Sequence, residues 1–282
     1  MIGLYDSGFG GLTVLRRVRD ALPDRDLHYF GDSGRAPYGG RDVHTILDFA
    51  EQAVEHLVGR GCRLVVVACN TVSCVALRHL QHRYAGPGSD VRVLGVTIPG
   101  AESAVRATRG HVGVLATART VASHTYVTEI HKLDPSVRVT QLAAPLLAPI
   151  VEEGWEDTEI ARLAVDRYLD ALGPVDTLLL GCTHYPLLMD QFAGRGPTVV
   201  DPAPYLAERL VEWLERHPQF DPPGTGALSF SCSGDPERFA RLGSRFLGAA
   251  LPEVHTVAEV AGRLLPGDPD AAPVGQVVRG GR

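Results

Sequence analysis

The sequence has no excess of positive charge, no CxxC pair and no long apolar run. Its 282 residues include 27 Lys and Arg against 33 Asp and Glu, a formal net charge of −6, so dedicated nucleic-acid binding is not expected. No segment approaches the roughly 18 apolar residues of a membrane span, and no signal peptide is recognisable in the opening MIGLYDSGFG. The odd number of five cysteines, with no CxxC pair, argues against a secreted disulfide scaffold and favours a reducing compartment. We therefore expect a cytoplasmic protein without membrane contact, and its cysteines need an explanation.

Short apolar runs alternate along the chain with segments of helical periodicity. Hydrophobic residues make up 45% of the sequence, enough for a core, and the length suits two domains. Residues 42–61 carry one apolar stripe, whereas 64–68 form an unbroken apolar run, typical of a strand buried on both faces. Further strands are predicted at 2–5, 91–96, 112–116, 137–142, 177–180, 198–200 and 228–231. This alternation predicts an α/β fold with mainly parallel sheets.

A weak internal repeat places two cysteines at equivalent positions. The first predicted strand ends at Asp6 and a later one at Cys69, while in the second half strands end at Thr117 and Cys182 with nearly the same separation. Ligands of open α/β sheets bind at the carboxyl ends of strands. Two facing halves would therefore put Cys69 and Cys182 on opposite walls of one cleft.

The same pattern suggests domain boundaries. We predict a first, discontinuous α/β domain from residues 1–96 and 206–265, and a second domain from residues 97–205. The stretch 266–282 is rich in Pro and Gly and is expected to be a disordered tail.

Both strand-end cysteines are followed by polar residues that suit the start of a helix. Asn70 and Thr71 follow Cys69, and a helix start favours a thiolate. Thr183 and His184 follow Cys182, and His184 is a candidate acid/base partner. The alternative for any free cysteine is a buried small hydrophobe, which is the interpretation given to Cys62, Cys74 and Cys232. A zinc site of Cys69, Cys74, Cys182 and His184 is a second alternative, although its spacing matches no standard motif.

Two further polar loops are candidates for binding. DSGFGG matches neither the dinucleotide fingerprint nor the P-loop, but its amides could hold a carboxylate, with Asp6 as a general base or a counter-ion for an ammonium group. GDSGRAPYGG, with Asp32, Tyr38 and Gly39, is a loop at a strand end, where binding groups often lie.

Two opposed thiols suit direct proton transfer at carbon. Inverting a stereocentre requires removal of a proton from one face and return of a proton to the other. Cysteine serves both roles because its ordinary pKa of about 8.5 lies near working pH. Asn70, Thr71 and Thr183 could stabilise the developing negative charge.

Seven motifs between about residue 2 and residue 248 together resemble the glutamate racemases and stand in that family's order. They are DSGFGG, GDSGRAPYG, ACNT, GVLATARTVAS, VEEG, GCTHYPLL and SGDPERF…FLG. The resemblance implies cofactor-independent interconversion of L- and D-glutamate, which supplies D-glutamate for bacterial peptidoglycan. It also implies two pseudo-symmetric α/β domains with the active site in the cleft between them. We expect a homodimer, and we expect the reaction to use no metal and no cofactor.

The resemblance also implies roles for residues. Cys69 and Cys182 would be the proton donors and acceptors, assisted by Asp6 and His184 respectively, with Asp32 and Glu152 as supporting acids. The substrate contacts it implies are Asp6, Ser7, Tyr38, Gly39, Asn70, Thr71, Thr117, Thr120, Thr183 and His184. The chain departs from the family pattern at Val72, Ile98 and Ala144, none of which touches the cysteine pair.

Three other functions stay open at this stage. Related aspartate or hydantoin racemases use similar cysteines. A binding protein without catalysis would also have two lobes around a cleft. The chain could also act mainly by contacting another macromolecule such as a topoisomerase.

Overall fold

Two parallel sheets with helices packed around them make up the computed structural model, which describes residues 1–86 and 89–265. The predicted tail, residues 266–282, lies outside the described residues. In the described part of the chain, no helix is both long and apolar enough to cross a membrane.

The first lobe is built on a six-stranded sheet with the order β10-β9-β2-β1-β3-β4, in which every paired strand is parallel. Its strands are β1 Ile2–Asp6, β2 Leu27–Gly31, β3 Leu64–Val67, β4 Arg92–Gly95, β9 Leu228–Cys232 and β10 Val254–Thr256. Its helices are α1 Leu12–Ala21, α2 Val43–Gly59, α3 Asn70–Val75, α4 Leu77–Arg83 and α12 Pro236–Leu247. The central strands β1, β2 and β3 are buried along their whole length, as expected for a sheet covered on both faces.

The second lobe is built on a four-stranded parallel sheet with the order β6-β5-β7-β8. Its strands are β5 His111–Ala116, β6 Arg138–Ala143, β7 Thr177–Gly181 and β8 Thr198–Val200. Its helices are α5 Thr97–Ala107, α6 Ala118–Ser123, α7 Thr125–Leu133, α8 Leu147–Glu152, α9 Glu159–Leu172 and α10 Met189–Phe192, with a short 3₁₀ helix at Tyr185–Leu188.

One long helix joins the lobes. α11, Pro202–Arg216, packs against α1 of the first lobe and α5 of the second. One apolar core runs from Leu4 and Leu15 of the first lobe through Leu206 of α11 to Leu180 of the second. We propose the domain division predicted from the sequence, with α11 at the boundary because it packs on both sides.

The predicted α/β class with mainly parallel sheets is confirmed, and each strand predicted from the sequence coincides with an observed one. β2 was implied only as the strand before the GDSGRAPYGG loop. The sequence analysis missed β10 and the small antiparallel hairpin of β11, Glu259–Val260, and β12, Arg263–Leu264. These strands are two or three residues long and mostly exposed, so they show no apolar run. A 3₁₀ turn, Pro218–Phe220, precedes β9.

Candidate active site

The strand ends of both sheets face a cavity of about 240 Å³ between the lobes. Eleven of the residues singled out in the sequence line it: Ser7, Tyr38, Gly39, Cys69, Asn70, Thr71, Thr117, Glu152, Cys182, Thr183 and His184. Cys69 and Cys182 come from different sheets, so the cavity is shared by the two lobes. Asp6, Asp32 and Thr120 are almost fully buried and stand behind its walls.

Cys69 forms one wall, two residues after the end of β3 and at the residue that precedes α3. Its Sγ lies 3.4 Å from Ser7 Oγ, and the side chain is 5% exposed. Burial, together with the negative charge of Asp6, raises the pKa of the Cys69 thiol to about 12. The expectation that the helix start would favour a thiolate at Cys69 is therefore wrong: α3 is only six residues long, and burial outweighs its effect.

Cys182 forms the opposite wall and begins a relay of three side chains. Its Sγ lies 3.8 Å from His184 Nδ1, and His184 Nε2 lies 2.9 Å from Glu152 Oε1 at the end of α8. Burial would lower the pKa of His184, but hydrogen bonds to Cys182 and Glu152 outweigh it and raise that pKa to about 10. Burial raises the pKa of Glu152, yet the bond to His184 brings it below its usual value. The relay therefore holds an imidazolium between the Glu152 carboxylate and the Cys182 sulfur.

Asp6 lies behind the cavity, where the two lobes meet. Its Oδ1 accepts a hydrogen bond from the Gly8 amide at 2.9 Å, and its Oδ2 lies 3.5 Å from Thr183 Oγ1 of the second lobe. Burial raises the pKa of Asp6, and the positive charge of His184 opposes this rise. Asp6 thus supports both cysteine walls without lining the cavity.

The glycines of DSGFGG allow this close approach of the lobes. A Cβ at Gly10 would stand 2.2 Å from Thr183 Oγ1 and 2.6 Å from His184 Nδ1. A Cβ at Gly11 would stand 2.5 Å from the Cβ of Asp6. Gly10 is therefore required by packing against the other lobe and Gly11 by packing against Asp6 in its own lobe, reasons that the sequence alone does not reveal.

Hydroxyl groups join the lobes on the Cys69 side. Thr71 Oγ1 of the first lobe lies 2.9 Å from Thr117 Oγ1 and 3.3 Å from Thr120 Oγ1 of the second. Thr117 also caps α6 by accepting a bond from the Thr120 amide. Tyr126 OH donates to Asn70 Oδ1 across the same seam. Thr71 and Thr117 line the cavity, whereas Thr120 holds them in place.

The loop that carries Tyr38 and Gly39 is anchored from beneath by Asp32. The buried Asp32 carboxylate pairs with Arg35, 2.7 Å from Nη2, and accepts hydrogen bonds from Ser233 Oγ at 2.5 Å and from Tyr38 OH. Burial raises the pKa of Tyr38 well above its usual range, with Tyr5 and Asp32 adding to the effect. The structure thus places Asp32 under the loop and away from the cavity.

The remaining cysteines lie apart from this cavity. Cys62 is buried, Cys74 Sγ lies 3.7 Å from Thr97 Oγ1, and Cys232 Sγ lies 3.4 Å from the Gly234 carbonyl oxygen. Burial raises the pKa of their thiols to about 12, 11 and 11 respectively. Cys74 lines a separate cavity, so the structure does not bring the four candidate zinc ligands together.

The sequence analysis missed some residues that shape the site. Ala148 and Pro149 of α8 line the cavity, and Arg245 and Phe246 of α12 touch the relay from the other lobe. Phe246 belongs to the FLG of the quoted motif, but nothing local marks the contacts of these four residues, because apolar and basic residues on amphipathic helices are common and their partners lie far away along the chain.

Comparison with known proteins agrees with this geometry. A family model described as Asp/Glu/Hydantoin racemase matches residues 12–210. A glutamate racemase of Geobacter metallireducens is 42% identical over 264 residues, covering 91% of this chain and 96% of the relative. The crystal structure of a glutamate racemase isoform from Bacillus anthracis superposes with a TM-score of 0.84 at 35% identity, over 92% of this chain and 97% of that one. A glutamate racemase from Francisella tularensis, solved in complex with D-glutamate, gives a TM-score of 0.84 at 30% identity, over 91% of this chain and 97% of that one.

Proposed function

Because the chain belongs to the Asp/Glu/hydantoin racemase family and is an amino-acid racemase, we propose that its substrate is glutamate and that Cys69 and Cys182 carry out the two proton transfers. The observation that carries the proposal is that these two thiols line one cavity from the strand ends of two different sheets. Relatives that share 37–42% of their residues with this chain over most of its length bear the name glutamate racemase.

The two cysteines start from different charge states in this proposal. The buried Cys69 is a thiol, since its pKa lies near 12. We assign the role of base to Cys182, since His184 Nδ1 stands 3.8 Å from its sulfur and the positive charge on that imidazole favours negative charge at the sulfur. One base and one acid therefore face the substrate before it reacts.

Each turnover moves one proton in and one proton out. The Cys182 thiolate takes the α-proton and becomes a thiol, and the electron pair left on Cα is delocalised into the α-carboxylate. Cys69 then gives its proton to the opposite face of Cα and becomes a thiolate. The product is the mirror-image amino acid, and the reverse reaction exchanges the two roles.

The substrate's negative charge is met by backbone amides and hydroxyls. Among the described residues that line the cavity, none is Lys or Arg, and His184 is the one group with a positive charge. α3 and α6 begin beside the cavity-lining residues Asn70, Thr71 and Thr117, so we expect free amides at these helix starts to contact the substrate. Ser7, Thr183 and the loop at Tyr38 and Gly39 complete the polar contacts.

Proton exchange at Cα tests the substrate and the mechanism together. In D₂O, the chain should wash deuterium into the α-position of both L- and D-glutamate, followed by ¹H NMR, and should do so far more slowly with aspartate. Exchange into aspartate but not glutamate would overturn the substrate assignment.

Single substitutions test the cysteine pair. Cys69→Ser and Cys182→Ser should each abolish racemisation in both directions, because every turnover uses both faces of Cα. Cys74→Ser is the matched control, since Cys74 lies outside the cavity, and it should keep the parent rate. Substantial turnover by either cavity variant would refute the two-base assignment. A protein that only binds its ligand would keep its affinity in both variants and show no exchange in the parent.

The biological setting is also part of the proposal. We propose that the chain supplies D-glutamate for peptidoglycan, that it works in the cytoplasm and that it forms a homodimer. Deletion of its gene should make growth depend on added D-glutamate, and light scattering should give twice the mass of the chain. Growth without D-glutamate would contradict the proposed role.

A further inference from the structure

The last helix of the first lobe reaches the Cys182 relay at two adjacent residues. The Phe246 ring of α12 meets the His184 ring edge-on, with ring centroids 5.1 Å apart. Arg245, next to it, donates hydrogen bonds to the carbonyl oxygens of Val151 at 3.0 Å and Glu152 at 3.4 Å. α12 belongs to the first lobe, whereas all three partners belong to the second.

The Arg245 contacts fix the end of α8. That helix ends at Glu152, so its last carbonyl oxygens depend on donors from outside it. The Gly154 amide bonds to Val151, and Arg245 adds donors to both Val151 and Glu152. A cation is favourable at this end of a helix, and the planar guanidinium is able to bind several oxygens at once. Arg245 Nη2 also pairs with Glu156 Oε2 at 2.5 Å, just beyond the same turn. One side chain therefore ties the turn from Val151 to Glu156 to the opposite lobe.

The Glu152 side chain leaves the backbone within this turn. Its Oε1 must stay 2.9 Å from His184 Nε2 if the imidazole is to stay next to Cys182 Sγ. We propose that Arg245 is a positioning residue for the reaction: from the first lobe, it holds the turn after α8 so that the Glu152–His184–Cys182 relay is aligned only when the lobes are together. This inference rests on the proposed use of Cys182 as an acid and base.

The charge on His184 reports whether the relay is aligned. The charged and titratable groups that face it are Cys182 from its own turn, Glu152 from α8 and Asp6 from β1, and Arg238 of α12 acts on Glu152. Burial alone lowers the pKa of His184. If the turn loosens and Glu152 moves away, the imidazole loses its proton at a lower pH.

The test compares Arg245→Ala and Arg245→Lys with Arg241→Ala, an exposed arginine on the same helix. Glutamate racemisation is followed in both directions by circular dichroism between about pH 6 and pH 10. For Arg245→Ala we expect kcat to fall about 10- to 100-fold, as for a small displacement of a catalytic group, with KM changed less than about two-fold. The alkaline limb of its pH profile should move to lower pH. Arg245→Lys should be intermediate, and Arg241→Ala should match the parent.

Several results would overturn the inference. One is a folded Arg245→Ala variant with kcat within about two-fold of the parent; another is a loss of kcat with an unshifted pH profile, since that is the mark of a general structural role. If the alanine variant does not fold, Arg245→Lys and Glu156→Gln decide, and the latter should shift the profile slightly in the same direction. If the parent chain does not act on glutamate, the proposed function fails and this inference fails with it. If the parent is active and the Arg245 variants match it, the inference alone is refuted.

Discussion

Replacing Glu152 with Gln should make racemisation fall off at alkaline pH while leaving it nearly unchanged at pH 6. The carboxylate of Glu152 accepts the Nε2–H of His184 and helps to keep the pKa of that imidazole at about 10. The substitution keeps the shape of the side chain and removes its charge. His184 should then lose its proton at a lower pH, and with it the positive charge beside Cys182.

The size of the effect follows from the two protonation curves. With a pKa of about 10, His184 is almost fully protonated at pH 8. If the pKa fell all the way to about 6.5, the ordinary value for histidine, only about 3% would stay protonated at pH 8 and about three quarters at pH 6. The loss of activity should therefore reach at most about 30-fold at pH 8 and nearly vanish at pH 6. The hydrogen bond to Cys182 stays, so the observed loss should be smaller than this limit.

The neighbouring residue offers a matched control. Glu153 is exposed, so Glu153→Gln makes the same chemical change one position further on, without contact to the relay. Rates are measured from both enantiomers between about pH 5.5 and pH 10, and an NMR titration of the His184 ring gives its pKa directly. A loss in Glu152→Gln of the same size at pH 6 and pH 9, or an unchanged His184 pKa, would refute the reasoning.

Three further predictions concern packing and stability. His56 is buried and its pKa is lowered to about 4, so protonation of His56 opposes folding. The free energy of unfolding should therefore fall as the pH drops from about 6.5 toward 4. Urea denaturation at a series of pH values should show a smaller fall for His56→Gln. Gly10→Ala should destabilise the chain by about 1–3 kcal/mol and lower kcat, because the new methyl group has no room. Gly86 faces open space, so Gly86→Ala should change neither stability nor kcat. Equal melting temperatures for the two variants would contradict this prediction. Asp32→Ala should cost about 3–5 kcal/mol by leaving the buried charge of Arg35 unpaired, and chemical denaturation that shows less than about 1 kcal/mol would count against a structural role for Asp32.

The strands and the walls of the cavity could be predicted from the sequence because both depend on local patterns. An unbroken apolar run such as 64–68 marks a strand in a covered parallel sheet, and a cysteine directly after it must stand at the sheet's carboxyl edge. The prediction that Cys69 and Cys182 face the same cavity followed from the repeat of that pattern in the second half of the chain. Asp6 and Asp32 were singled out by their place at strand ends and Thr120 by the family resemblance, yet all three are buried behind the cavity.

The electrostatics of the site could not be predicted in this way. A short helix at Cys69 suggested a thiolate, but the pKa depends on how deeply the packed lobes bury the sulfur. The contacts of Arg245 and the crowding at Gly10 depend on groups in the opposite lobe, which no local pattern reveals. The hairpin at 259–264 is too short and too exposed to give an apolar signal.

The path of the chain through the two sheets also sets an order of folding. The four strands of the second lobe lie within residues 111–200, without interruption by the other sheet, whereas β2 of the first lobe pairs with β9 from residues 228–232. During synthesis from the N-terminus, the second lobe is therefore complete while one edge of β2 still lacks its partner. Closing that gap requires contacts between residues some two hundred positions apart, which form slowly, and an unpaired strand edge is open to aggregation until then. We expect nascent chains that stop before β9 to need chaperones, even though they already contain both cavity cysteines.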